Sequence, residues 1–490
     1  MVRLGARARC RMVRRRFLLV ALAGGAAALA GCGRGGVGVH VRAAPASRLA
    51  LSRPVTVLRW QPFGGGGPAA SAALVQQAVA AAAPFLASNP GLRLEVDPSR
   101  ADALAAVRSG HGPDVVAVHG GGGTFDDWLA AGLLTNLQGY VQSERVDLSG
   151  LCAGQLASLS SPAGLFGLPS GLDTSAVAVN LGLLRTLRVS APAPTWDWRA
   201  YAQLAARSAG PVGGEGHRFG TTIAFATGIP AACYFHGFGG ALVDPADAHR
   251  CALGSAAAIE AGRYVYGLLR SGAAAPGRAA RQSFSAGLQV APLASAADAV
   301  RFASAWSHLQ WDFLPLPRWP AGRYTSTAVR AFGVSTRSRH AAAAWTLVRW
   351  LCTRSQWQQA MVSAALRPPG VLGLWNVWLT QLRAAVPALA GKHLEAFALP
   401  SGVHALAPGG VRFAHADILT RTAIATALRR LQVQPQSSVA ATFATAARAA
   451  DSLQRGAAQA AAGATASSAK GSLAFGAVAG GGAPGSTTVG

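Results

Sequence analysis

From residue 55 onward, short apolar runs alternate with Ala-rich stretches, and this limits the fold more than any other feature. Val55 to Trp60 is a run of strand formers. Gly64 to Gly67 form a loop, and Ala69 to Leu86 suits a helix. Leu92 to Val96 reads as a second strand, Asp102 to Arg108 as a short helix. Val115 to Val118 follows Pro113-Asp114 as a buried strand, and Phe125 to Ala131 is helical again. Strands separated by helices pair in parallel, with helices covering both sheet faces. The pattern recurs in Ala176–Val179, Trp198–Arg207, Thr222–Ala226, Ala256–Leu269, Gln289–Ala291, Ala331–Ser335 and His340–Leu351. Phe313 to Pro317 reads as extended, and the chain from Ala365 to about Arg455 as mostly helical. The expected class is α/β.

The N-terminus reads as an export signal. Arg14, Arg15 and Arg16 precede an apolar run from Phe17 to Leu29, which ends in Leu29-Ala30-Gly31-Cys32. A basic start, a short apolar core and small residues before a cut site make a secretory signal. The ending resembles a bacterial lipobox, which implies lipid on Cys32. Arg14 to Leu18 resembles a twin-arginine signal. Residues 33–53 are rich in Gly, Arg, Ala and Ser and read as a flexible tether. Residues 456–490 are Ala, Gly and Ser with few bulky apolar side chains, and read as a disordered tail.

The formal charge is +25; residues 1–31 hold seven Arg and no acid, leaving 25 − 7 = +18 for the exported part. The Arg residues are scattered rather than run together, which argues against nucleic acid and suits a surface beside anionic headgroups. Beyond Cys10 and Cys32, four cysteines remain, of which Cys233 and Cys251 are the closest candidates for a disulfide. No Cys/His spacing suggests zinc, and no metal or cofactor is expected.

Several segments, in order, resemble the extracellular solute-binding proteins of ABC importers, in the sugar-binding family 1 that includes the maltodextrin-binding proteins. They are Pro113-Asp114-Val115-Val116 with Asp127 to Leu134, Gly164 to Pro169 with Asp173 to Asn180, and Thr195-Trp196-Asp197-Trp198. They continue with Gly237 to Gly240 and Val243-Asp244, Phe284 to Ala291, and Phe332 to Ser335 with His340, Trp345 and Trp350-Leu351. The resemblance spans about residues 55–455.

It implies a two-lobed periplasmic-binding-protein-like fold, each lobe a mainly parallel sheet flanked by helices, with crossing strands between. Lobe one would hold 55–165 and 295–328; lobe two would hold 170–292 and 335–455. The crossings would fall near Pro169–Thr174, Val290–Ser295 and Thr327–Val334. Locally, Thr195 suits a helix N-cap and Asp197 the first turn. Trp196 and Trp198 read as packing residues.

The function implied is capture of a solute, a sugar first, for an ABC permease. The chain would be a monomer held by the Cys32 lipid on the outer face of the cytoplasmic membrane. A polyol or a glycerophosphate is the alternative ligand.

In open α/β sheets, ligands bind beyond the carboxyl ends of the strands. A sugar needs an aromatic face and planar hydrogen-bonding groups. Candidate ligand residues are therefore Trp60 for stacking, Gln61, His119, Asp173, Thr174, Ser175, Arg330, and Phe413 stacking from lobe two. One departure stands out. Where many sugar-binding members carry Gly and Trp, this chain reads Pro292-Leu293-Ala294-Ser295, and Trp306 comes too late to match.

Catalysis is not expected. His119-Gly120-Gly121-Gly122 resembles an oxyanion-hole loop, yet no Gly-x-Ser-x-Gly supplies a nucleophile. No P-loop and no His-Glu-x-x-His occur. Acids are scarce for a paired-carboxylate glycosidase. A surface hydrolase is the competing class.

Overall fold

The structure, a computed structural model, describes residues 55–476 except 62–75, 97–102, 121–124, 126–127, 130, 214–215, 224–228, 245–246, 277–292, 297–298, 327, 355–356, 361–367, 399–402 and 407–422. These residues lie in a compact unit running from Arg53 to Gly490. In chain order, the elements used below begin with β1 (Thr56–Trp60), α1 (Ala83–Ser88), β2 (Leu92–Val96), β3 (Val115–Gly120), β4 (Leu168–Asp173) and β5 (Ser175–Asn180). Next come α2 (Trp198–Ser208), β6 (Thr221–Ile223), α3 (Ile229–Gly237), α4 (Ala256–Arg270), β7 (Ala274–Pro276), β8 (Leu293–Ser295) and β9 (Trp311–Leu314). The last are β10 (Arg323–Ser326), β11 (Ala328–Val334), α5 (Ala341–Thr353), α6 (Trp375–Ala385), α7 (Ala425–Val433) and α8 (Val439–Gly476).

The first lobe is built on a five-stranded sheet in the order β2-β1-β3-β11-β4. β1 pairs in parallel with β2 and β3, while β11 runs antiparallel between β3 and β4. Leu58, Trp60, Val115, Val116, Val118, Leu168 and Phe332 form its core with Trp345, Leu347, Val348, Leu351 and Trp357. The second lobe packs α2, α3, α4, α7 and α8 around Tyr201, Tyr234, Phe235, Val265, Trp319, Leu428 and Phe443. Its described strands include the parallel pair β6-β7. A third apolar cluster gathers Leu172 of the first crossing and Ala176 and Ala178 of β5 with Phe302, Trp306, Trp311, Phe313, Trp378 and Phe397. There β5 lies antiparallel between β8 and β9.

The two-lobed α/β fold matches the sequence reading, but the assignment of the C-terminal half to lobes needs correction. α5, expected in lobe two, belongs to the first lobe, and β11, expected as the third crossing, is a strand of the first sheet. Gly333 of β11 shows why: a Cβ there would lie 2.9 Å from Leu134 Cδ2 and 3.1 Å from the Phe166 carbonyl oxygen, so this strand is fitted to the first core. Residues 295–328, expected in lobe one, pack instead into the third cluster and, through Leu316 and Trp319, into the second lobe.

Three local expectations also change. The cap of α2 is Asp197, not Thr195; its carboxylate accepts from the Arg199 and Ala200 N–H groups at 3.0 and 2.9 Å. The helix expected to end near Arg455 continues to Gly476, so residues 456–476 are not a disordered tail. Alanine is the best helix former, which suits this Ala-rich stretch to a helix. Cys233 and Cys251 are buried free thiols rather than a disulfide. The export signal, the tether and the candidate lipidation site Cys32 lie outside the described residues.

Candidate binding edge at the first crossing

β3 and β4 both run toward the same edge of the first sheet, where β11 enters between them. Cross-strand register places Arg330 abreast of His119 on one side and Gly171 on the other, with Ala328 opposite Asp173. Because strand side chains alternate, Gly171 and Asp173 share a face with Arg330. Arg330 packs across Gly171, where a Cβ would stand at ordinary contact, 3.4 Å, from Arg330 Cδ. A bulge in β4 at this row sets the Ser170 hydroxyl 3.2 Å from the Arg330 carbonyl oxygen, to which it donates. His119 enters the edge through its backbone register alone.

Arg330 is the group with chemistry to spare. Its Nη1 is buried and has no hydrogen-bond partner. Burial pulls the guanidinium below its ordinary value, and the charge of the Asp173 carboxylate opposes this. A buried donor left unmade is expensive, which is why such groups are nearly always matched. A ligand oxygen between Arg330 and Asp173 would supply the match.

Thr174 and Ser175 have structural duties. The buried Thr174 hydroxyl donates to the Phe397 carbonyl at 2.7 Å. The Ser175 N–H donates to Thr325 Oγ1 at 2.8 Å. Both bonds fasten the first crossing to neighbouring segments.

Trp60 must be moved from the site to the core. It is fully buried, edge-on to Phe332 at 6.1 Å and to Trp357 at 5.2 Å. β1 meets β3 only at Trp60–Val115, at the start of β3. Trp60 therefore lies four residues, or about 13 Å at ~3.3 Å per residue, short of the His119 edge. Gln61 is buried beside it, its N–H donating to the Val115 carbonyl at 3.0 Å. Phe413 lies outside the described residues. Trp306 is stacked on Phe302 at 3.7 Å inside the third cluster.

One group went unnoticed in the sequence. His236, in the last turn of α3, has a buried Nε2 without a partner. Burial pushes the ring down to about 4, and a backbone hydrogen bond with Gly240 works the other way. Its ring lies 6.3 Å from Tyr324 on β10, the strand that leads into β11. The neighbouring Gly237-Phe238-Gly239-Gly240 loop was its only signal in the sequence.

The family model "Bacterial extracellular solute-binding protein" matches residues 66–356. No curated protein matches. Solved structures give the fold. The sugar-binding protein MalE from the phytopathogen Xanthomonas citri is 19% identical, with TM-score 0.65, over 82% of this chain and 98% of that one. UspC of M. tuberculosis is 20% identical, with TM-score 0.63, over 81% and 100%. The ABC substrate-binding protein Lmo0181 from Listeria monocytogenes, solved with cycloalternan, is 14% identical, with TM-score 0.62, over 81% and 99%.

Proposed function

We propose that this chain, which belongs to the bacterial extracellular solute-binding protein family, captures a carbohydrate at the edge formed by β3, β4 and β11 and hands it to an ABC permease. The observation that carries this reading is Arg330, a buried guanidinium with an unmatched Nη1, set beside the Asp173 carboxylate. A donor and an acceptor side by side suit neighbouring hydroxyls of a sugar: Arg330 donates to one oxygen, and Asp173 accepts from the next. Similarity to structures named for sugar binding, one holding cycloalternan, supports the same class.

The reading carries further parts. The chain acts by binding without turnover. It is exported as a monomer, and lipid on Cys32 tethers it outside the cytoplasmic membrane through residues 33–53. Among the described residues no helix is long and apolar enough to cross a membrane. Closure of the two lobes about the crossings would present the loaded form to the permease.

The test is a thermal-shift screen of sugars, polyols and glycerophosphates, since a ligand of the native state raises Tm in proportion to ln(1 + [L]/Kd). At least one sugar should raise Tm, and Arg330→Met should abolish that shift while the unliganded protein stays folded. If no sugar shifts Tm, or if the shift survives Arg330→Met, the reading is wrong.

A further inference from the structure

The outer side of the second lobe is a basic helical layer. α4, α7 and α8 pack together through Ala258, Val265, Leu428, Leu431, Phe443 and Ala447 and turn their other sides to solvent. On α4 the exposed stripe carries Glu260, Arg263 and Arg270. On α7 it carries Arg429, Arg430 and Val433, and on α8 Arg448 and Arg455. Arg263–Arg270 and Arg448–Arg455 are each seven residues apart, two helical turns, so each pair lies on one line.

Little acid answers this charge. Glu260 is paired with Arg263. Asp451 is half-buried and turned inward, accepting from the Cys251 N–H at 2.6 Å. Arg448 bonds only the Thr445 hydroxyl of its own helix.

A second observation sets this layer apart from the chain's general basicity. Among the described residues the exposed large apolar side chains are Val55, Val79, Val433 at 76% and Leu453 at 47%. Val433 is the most exposed of the four and stands four and three residues from Arg429 and Arg430, on the same side of α7. Basic side chains with interspersed apolar ones are what an anionic membrane surface attracts. The charges are drawn to the headgroups, and the apolar groups enter the boundary beneath.

We propose that the α4–α7–α8 layer is a peripheral membrane-docking face, resting on a bilayer that contains anionic phospholipid. This would lay the second lobe on the membrane whether or not a solute is bound, and independently of any N-terminal lipid.

The test uses the full chain carrying Cys32→Ala, so that no lipid is attached. Its partition is measured onto vesicles of phosphatidylcholine alone and of phosphatidylcholine with an equal part of phosphatidylglycerol. Binding should require phosphatidylglycerol and weaken at ~1 M salt, where the Debye length is about 3 Å. One basic side chain near an anionic surface changes partitioning by about fivefold. Replacing Arg270, Arg429, Arg430, Arg448 and Arg455 by Gln should therefore lower it by at least about tenfold. Val433→Ser should remove most of the binding that persists at high salt. As a charge-matched control, Arg93, Arg108, Arg207, Arg337 and Arg339, exposed elsewhere, are replaced by Gln. Equal loss in that control, equal binding to both vesicle types, or tighter binding to duplex DNA that the layer variant also abolishes would each overturn the proposal. Circular dichroism of every variant separates loss of the face from loss of the fold.

Discussion

The two lobes hold their interiors together by different chemistry. The first core is a sheet packed with aliphatic side chains and indoles, in which Trp60 lies edge-on to Phe332 and Trp357. The second core is rich in phenols. Tyr201 shares hydrogen bonds with Thr221 and, at 3.4 Å, with Tyr234, and Tyr264 donates to the Trp198 carbonyl at 3.1 Å. Burial drives the Tyr201, Tyr234 and Tyr264 hydroxyls up, so all three stay neutral. Beside them sits His236, held neutral by burial. The second lobe thus adds a cluster of buried phenols to its apolar packing. Among the described residues, only the second contains a buried imidazole whose charging opposes folding.

That contrast can be broken or sharpened by experiment. The largest effect belongs to the first core. Trp60→Ala should cost about 3–5 kcal/mol through the cavity it leaves, with ligand affinity in the still-folded fraction unchanged. Urea unfolding with ligand titration checks both halves; lost affinity at full stability would return Trp60 to the site.

Acid should strike the second lobe next. His236 has its folded value lowered from 6.5 to about 4, so the unfolded chain binds the proton more readily. Its stability contribution is intact above pH 6.5, is lost as pH falls toward 4, and amounts to about 3 kcal/mol in all. His236→Phe should flatten this part of the pH–stability curve and keep the ring beside Tyr324. An unaltered curve between pH 6.5 and 4 would refute the assignment.

Tyr234→Phe should cost about 1 kcal/mol by unmaking its bond with Tyr201. Removing the Thr221 partner as well should cost less than the sum, because the groups share one network. The smallest stability change belongs to Arg330→Met. Deleting a buried donor without a partner should leave the unliganded protein as stable or up to about 1 kcal/mol more stable. A clear loss of stability would mean that Arg330 serves the fold rather than a ligand.

The legible parts of the fold were those with a local cause. The β2 bounds Leu92–Val96 coincide with the sequence reading, and β1 differs by one residue. α4 begins at Ala256 as read, because Ser255 caps it by accepting from the Ala258 N–H. At the candidate site, Asp173 and Arg330 could each be named as candidates, because each falls at a crossing. That Gly171 would lie abreast of Arg330 was not legible, because it depends on the register between strands some 160 residues apart. Trp60 failed for the same reason: a strand end is a carboxyl edge only if its neighbour ends at the same level.

The sequence by itself determined the alternating α/β class, most of the strands and helices, and the family resemblance, because periodicity, capping and turn residues act over a few positions. Only the tertiary structure decided which lobe claims β11 and α5, which of the candidate residues meet, and which indole is core. Those outcomes depend on pairing register and side-chain fit between distant segments, and an apolar strand satisfies either lobe until its neighbours are in place.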